Sequence, residues 1–258
     1  MAQRFINTLA SVWSWAVLGT CVALFFVPIL IWRIVGWPVD RWNYAGGFLF
    51  RSAARVTHWL TPRWRFETRG SFPTNPRHPY VMVANHESFV DILLLSQLPW
   101  EMKWLSKASM WKIPVLGWSM WAVRDVPVHR GKASSAKEAL DACRARLQGK
   151  VSVMIFPEGT RSKTAEMLPF KDGAFRLAID AGVPIQPMAL FGSRRALAKH
   201  DWRIGPAHAV VEVLEPEPTA GLTHADLPAL KERVRERIQV ARDRLREELA
   251  NESMVDSR

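Results

Sequence analysis

A chain of 258 residues, 48% hydrophobic and 23% charged, can bury one large core with a small appendage and is too apolar to be disordered. A formal charge of +11 favours polyanionic partners, whether nucleic acid, anionic lipid headgroups or phosphorylated substrates. Two cysteines, Cys21 and Cys143, exclude a disulfide framework and make a reducing compartment the default.

The first element is the run from Val12 to Trp32, 21 residues without a charge, where about 20 cross a bilayer core. Arg33 ends it, and Arg41, Arg51 and Arg55 follow, which puts its C-terminal side in the cytoplasm, with Arg4 reducing the asymmetry. No small-residue cleavage site follows, so an anchor is expected rather than a cleaved signal, and Pro28 leaves a kinked or re-entrant helix open. Twelve of the thirteen tryptophans lie between Trp13 and Trp121, and indole prefers the membrane–water interface. After the Gly36-Trp37-Pro38 break, Asp40 to Leu60 reads as an amphipathic helix. It either packs on the first helix, lies in the interface, or caps a soluble domain. Residues 1–62 are thus expected to form membrane-associated helices, and residues 63–258 the main domain.

From Arg63 the pattern changes. Strands are predicted at Trp64–Thr68, Tyr80–Ala84, Met102–Ser106, Val126–His129, Val151–Phe156, Ile185–Leu190 and Ala209–Leu214. Helices are predicted at Asp91–Gln97, Ser134–Leu147 and Gly173–Ala181. The alternation implies an α/β fold, a largely parallel sheet flanked by helices. Leu227, Leu230, Val234, Ile238, Ala241, Leu245 and Leu249 step by three or four in a charged background, as an amphipathic helix docked on the domain.

Functional groups of such sheets gather beyond the carboxyl ends of strands, where Asn85-His86 and Pro157-Glu158 fall. His86 precedes a predicted helix and Asp91 follows five positions later. Histidine accepts a proton near neutral pH, and a carboxylate is the usual means of fixing its tautomer. Ser88 and Asp91 also form the S-x-x-D pattern of a capping box. Both readings hold together only if His86 lies ahead of the helix proper.

Asn85-His86-Glu87-Ser88-Phe89-Val90-Asp91, Phe156-Pro157-Glu158-Gly159-Thr160-Arg161-Ser162 and Val183-Pro184-Ile185-Gln186-Pro187 occur in that order. Together they match NHxxxxD, FPEGTRS and a V/I-P-I-x-P run, and the chain resembles the glycerolipid acyltransferase family, in particular bacterial 1-acylglycerol-3-phosphate acyltransferases. The resemblance covers roughly Arg63 to Leu214. It departs at the second motif, where Arg124-Asp125 and Pro127 replace the usual glycines while Gly117 and Arg130 remain, and this bears on the acceptor.

The resemblance implies transfer of a fatty acyl group from acyl-CoA or acyl carrier protein to the free hydroxyl of lysophosphatidate, with no cofactor and no metal. The alternative acceptor is another lysolipid, a lyso-ornithine lipid or a lysophospholipid. His86 is implied as general base and Asp91 as its orienting carboxylate. Arg130 and Arg161 would bind the acceptor phosphate, supported by Lys107 and Lys171, with Glu158, Gly159 and Thr160 shaping the same site. Asn85 or a nearby backbone N–H is the oxyanion candidate. Expected partners are membrane lipids, the lysolipid and the acyl donor, not nucleic acid, and the expected location is the inner membrane with the catalytic domain on its cytoplasmic side. A hydrolase using the same pair, and a basic adaptor without catalysis, are the rivals. His58, His78, His129, His200, His208 and His224 lack a comparable setting.

Overall fold

The structure is a computed structural model that describes residues 2–162, 164, 166–198 and 201–255; His200 lies outside them. Helix α1 spans Ala2–Val35 and runs unbroken through Pro28, so no re-entrant turn interrupts it. It stops at Gly36, whose N–H bonds Trp32 O at 2.8 Å. Helix α2, Tyr44–Trp59, begins later than the sequence pattern suggests. Asp40 is not its first residue but lies ahead of the N-cap Asn43, and its carboxylate accepts Tyr44 N at 2.8 Å and Ala45 N at 2.9 Å, satisfying donors of the first turn.

Seven strands follow: β1 (Trp64–Gly70), β2 (Val81–Ala84), β3 (Met102–Lys107), β4 (Val126–Val128), β5 (Ser152–Ile155), β6 (Ile185–Phe191) and β7 (Ala207–Val213). They form one sheet in the order β1-β7-β6-β2-β5-β3-β4. Only the β6–β7 pairing is antiparallel. The intervening helices are α3 (Asp91–Leu95), α4 (Leu116–Ala122), α5 (Ala133–Gln148), α6 (Gly173–Ala181), α7 (Ser193–Ala196) and α8 (Leu227–Val255).

Both faces of the sheet are covered, as a continuous apolar strand such as β2 requires. Val81 and Val83 point into a core shared with α5, α6 and the Leu230–Val234–Ile238 stripe of α8. Met82 and Ala84 point the other way, against Leu94 and Leu95 of α3 and Trp104 of β3.

The two N-terminal helices cover that second face. Ser11 Oγ accepts Ile204 N at 2.8 Å, Trp15 donates to Trp202 O at 2.8 Å, and Ile29 is buried with Met120 and Val123. The opposite side of α1 leaves Phe5, Leu9, Leu24, Val27, Ile31 and Ile34 exposed. Arg51 and Arg55, counted in the sequence as charges flanking an anchor, turn inward. Arg51 pairs with Asp125 at 3.0 Å, beside the buried Lys103–Glu101 pair at 3.0 Å. Arg55 donates to Ser96 O at 2.8 Å and Leu98 O at 2.6 Å, capping carbonyls at the end of α3. An arginine count along the chain cannot distinguish a flanking charge from a buried clamp.

Candidate active site

The parallel strands β2, β5, β3 and β4 lie side by side, so their carboxyl ends bring four loops to one edge. Asn85 to Val90 leave β2, Phe156 to Ser162 leave β5, Lys107 ends β3, and His129-Arg130 follow β4.

His86 lies in the loop ahead of α3, and its Nδ1 is 2.7 Å from Asp91 Oδ2. The same oxygen accepts Glu87 N at 2.7 Å and Ser88 N at 2.9 Å, while Oδ1 accepts the Ser193 hydroxyl from the start of α7. Asp91 is fully buried and can accept from Nδ1 only if that nitrogen carries hydrogen. The imidazole therefore presents Nε2 as its basic atom. Half of the expected capping box is present: Asp91 reaches back to Ser88 N. The Ser88 hydroxyl instead donates to Leu197 O at 2.8 Å and accepts Val90 N at 3.3 Å.

Three further contacts fix the imidazole. Its ring stacks on Phe156, with centroids 3.9 Å apart and planes at 13°. Its backbone N–H donates to Glu158 Oε1 at 2.7 Å, and its carbonyl accepts Ser162 N at 3.2 Å. Glu158 Oε2 accepts Leu168 N at 2.9 Å, so this carboxylate ties the histidine loop to the segment after FPEGTRS. Burial pushes the Glu158 carboxyl up to about 6; the Leu168 and His86 amides oppose the rise and the Asp91 charge adds to it. Glu87 is pushed up to about 7, first by burial and then by Asp91, against the pull of Arg242 from α8, whose Nε is 3.4 Å from Glu87 Oε1.

Gly159 takes φ +70, and a Cβ there would sit 2.8 Å from Lys171 Nζ, so the turn needs glycine and Lys171 lies over it. Thr160 and Arg161 are half-buried beside it, and Lys107 is exposed at the strand end. Arg130 is exposed as a residue, yet burial of its head group and then the like charge of Arg161 hold it below the ordinary arginine pKa. The two predicted phosphate-binding cations are close enough for their like charges to oppose one another.

Asn85 has another task. Its Nδ2 donates to Leu190 O at 2.9 Å and its Oδ1 accepts Leu190 N at 2.8 Å, tying the end of β2 to β6. The neighbouring amides of His86, Glu87 and Ser88 are engaged by Glu158 and Asp91. The oxyanion role expected of Asn85 or of an amide at this helix start is therefore not one that these four groups are left free for: each already holds a partner. Sequence reasoning also missed Phe156 as a stacking surface, Ser193 and Arg242. Ser193 follows the carboxyl end of β6, where the strand-end rule could have found it; Arg242 gave no signal on α8. No group of three or more His, Cys, Asp or Glu positioned for a metal occurs among the described residues.

The fold is thus a mostly parallel α/β sheet with a histidine–carboxylate pair and two arginines in the loops at its carboxyl edge. A family model described as Acyltransferase matches residues 65–191. The human 1-acyl-sn-glycerol-3-phosphate acyltransferase alpha is 36% identical over 173 residues, 66% of this chain and 61% of that protein. A coconut (Cocos nucifera) protein named 1-acyl-sn-glycerol-3-phosphate acyltransferase is 30% identical over 220 residues, 83% of this chain and 70% of its own. The crystal structure of the 1-acyl-sn-glycerophosphate acyltransferase PlsC from Thermotoga maritima superposes with a TM-score of 0.78 at 21% identity, covering 94% of this chain and 97% of that one, a likeness of fold. The chain belongs to the acyltransferase family that contains these relatives. It spans about three fifths of the length of the human relative it matches.

Proposed function

We propose that the protein transfers a fatty acyl group from a thioester donor, acyl-CoA or acyl carrier protein, to the free hydroxyl of lysophosphatidate, giving phosphatidate. One observation carries the reading: the His86–Asp91 pair at 2.7 Å and the neighbouring Arg130 and Arg161 lie at one edge of the sheet. Nε2 takes the acceptor's hydroxyl proton as its oxygen attacks the thioester carbonyl. Asp91 stabilises the imidazolium so formed, and the same proton passes to the departing thiolate. The two guanidinium groups and Lys171 would hold the acceptor phosphate, whose oxygens suit a planar fork.

An apolar cavity of about 500 Å³ between the N-terminal helices and the sheet, lined by Trp15, Val22, Phe50, Ile92, Leu93 and Met120, supports a seat for an acyl chain. Phe5–Val35 is long and apolar enough to cross a membrane. Contacts between α1 and the α/β body from Ser11 to Ile29 favour a helix lying in one leaflet: crossing would carry the body's polar surface into hydrocarbon. The cytoplasmic face of the inner membrane, where soluble acyl donors are made, fits this arrangement.

Lysophosphatidate is preferred over other lysolipids because two of the three residues that depart from the family's second motif lie at the far end of β4 from Arg130, with Pro127 within the strand. Arg124 and Asp125 precede β4, and Asp125 binds Arg51 and Trp104 N, whereas Arg130 follows β4. The test is a panel of lysolipids with labelled acyl donor and purified protein. Lysophosphatidate should be preferred, and Arg130→Gln should raise its KM by about tenfold or more, the loss of a charge-assisted hydrogen bond, with kcat little changed. A flat preference, or turnover surviving in His86→Ala, overturns the proposal.

A further inference from the structure

The amino-end edge of the sheet, opposite the catalytic loops, carries a cluster that acyl transfer does not use. Arg33 is in the last turn of α1, Arg124 precedes β4, and Arg146 is in the last turn of α5. Indole rings alternate with these cations. Arg33 lies over Trp121 at 4.9 Å and Trp37 at 5.8 Å, Arg124 over Trp37 at 4.8 Å and Trp42 at 5.6 Å, and Arg146 over Trp42 at 5.4 Å.

Stacking on indole offsets part of the charge but satisfies no in-plane N–H; Arg146 meets two of its own, Nε donating to Arg124 O at 3.2 Å and Nη1 to Ala142 O at 3.0 Å. Arg33 Nη1 and Arg124 Nε are buried and have no hydrogen-bond partner among the described residues. The acids nearest in sequence are engaged elsewhere. Asp40 accepts Trp32 Nε1, Tyr44 N and Ala45 N, and Asp125 accepts Arg51 and Trp104 N, reaching Arg146 only through its field. Arg124 is pushed down to about 10 by burial and then by the like charges of Arg33, Arg146 and Arg41. It also adopts φ +64, a left-handed conformation that costs an arginine about 1 kcal/mol or more. Mutual repulsion, backbone strain and unmet donors converge on one place, and an anion bound there would relieve the first and satisfy the last.

We propose that Arg33, Arg124 and Arg146, framed by Trp37, Trp42 and Trp121, form a binding site for the phosphate of an anionic membrane lipid, separate from the acceptor site at Arg130 and Arg161. Position selects a lipid over a soluble anion. The cluster closes the end of the apolar helix α1, and Val35, Val39, Trp118 and Trp121 around it are exposed, the mixture that the headgroup boundary of a bilayer accommodates. Arg33 is about 27 Å along α1 from Trp15, by helical rise. Trp15 packs on Phe89 of the catalytic loop, with ring centroids 6.0 Å apart. One lipid headgroup cannot serve both ends.

The test uses full-length protein and flotation with phosphatidylcholine vesicles, with and without phosphatidylglycerol. Arg33→Gln/Arg124→Asn, in which asparagine tolerates the left-handed φ, should bind the anionic vesicles about thirtyfold more weakly, the weight of two surface cations, and the neutral vesicles unchanged. Lys137→Gln/Arg144→Gln removes the same charge from the exposed side of α5 and should lose several-fold less. In neutral detergent the first double variant should melt no lower than the parent, since it relieves repulsion. Arg33→Lys/Arg124→Lys, which keeps the charge without the fork, should bind the anionic vesicles more weakly than the parent. Equal losses for the two Gln/Asn variants, an equal loss on neutral vesicles, or undiminished binding by the lysine variant overturns the proposal. Displacement from anionic vesicles by inorganic phosphate at matched ionic strength would assign the site to a soluble anion and also overturn it. Because every readout is binding or melting, failure here is distinguishable from failure of the acyl-transfer reading.

Discussion

Replacing Asp91 by asparagine isolates the electrostatic part of catalysis. Asp91 is fully buried, and Oδ2 accepts from His86 Nδ1, Glu87 N and Ser88 N while Oδ1 accepts from Ser193. Asparagine can keep its carbonyl oxygen towards the three nitrogen donors and turn its amide to Ser193, whose oxygen can accept, so only the Ser193 hydroxyl hydrogen loses its acceptor. What disappears is the negative charge that steadies the imidazolium. Opposite unit charges about 4 Å apart at an effective dielectric of about 20 attract by about 4 kcal/mol, close to a thousandfold in rate. Asp91→Asn should therefore lower kcat by about 10³ and leave KM for both substrates within about threefold. Steady-state kinetics with a labelled thioester donor reads this directly, with a melting curve to show that the fold persists. A variant within tenfold of the parent kcat would refute the reasoning. Asp91→Ala is the poorer experiment because it orphans three buried donors at about 1–3 kcal/mol each.

Two further outcomes follow from the same geometry. Gly159→Ala should cost about 1 kcal/mol for its left-handed φ, push Lys171 Nζ from 2.8 Å, and raise the acceptor KM severalfold; unchanged KM and melting would separate Lys171 from the site. Glu87 sets a pH dependence: its carboxyl titrates near 7 when folded against 4.5 ordinarily, so the native state holds the extra proton between those values. Stability should fall as pH rises through that window, by up to about 3 kcal/mol, with the loss complete above about 7. Urea unfolding of Glu87→Gln should show a flatter slope across the window, not a flat one, because Glu158 still titrates near 6; an unaltered slope would remove Glu87 from the account.

The sheet was legible in the sequence because its strands are buried on both faces and so stand out as short apolar runs between turns. Every predicted strand overlaps an observed one, from Trp64 in β1 to Val213 in β7. The dyad was legible for a different reason. His86 and Asp91 are five residues apart, and a local turn ahead of α3 is enough to make them meet. Residues that arrive from afar were not legible. Ser193 lies 102 positions from Asp91 and Arg242 lies 155 from Glu87, and both contacts exist only because β6 and α8 pack where they do. Two side chains carry bonds that the sequence did not foretell, for one cause. Asn85, the oxyanion candidate, and Arg51, an apparent flanking charge, answer backbone and ion-pair demands visible only once β2, β6 and α2 are in place.

The edge that carries His86 is held with little freedom, which suits the proposed role of Nε2. Asp91 holds Nδ1, Phe156 supports one face of the ring, Glu158 holds the His86 N–H, and Ser162 N binds its carbonyl. These constraints leave one ring nitrogen unassigned, so on the proposed function the base is aimed before substrate arrives. The arrangement buries Glu87, Asp91 and Glu158 within one small region, and two of them resist ionisation as a result. That loss of stability is tolerable because a misplacement of about 1 Å at a reacting group can cost about a hundredfold in rate. Arg242 limits the electrostatic cost by reaching from α8 to Glu87, so the last helix of the chain takes part in aiming a histidine that stands 156 residues before it.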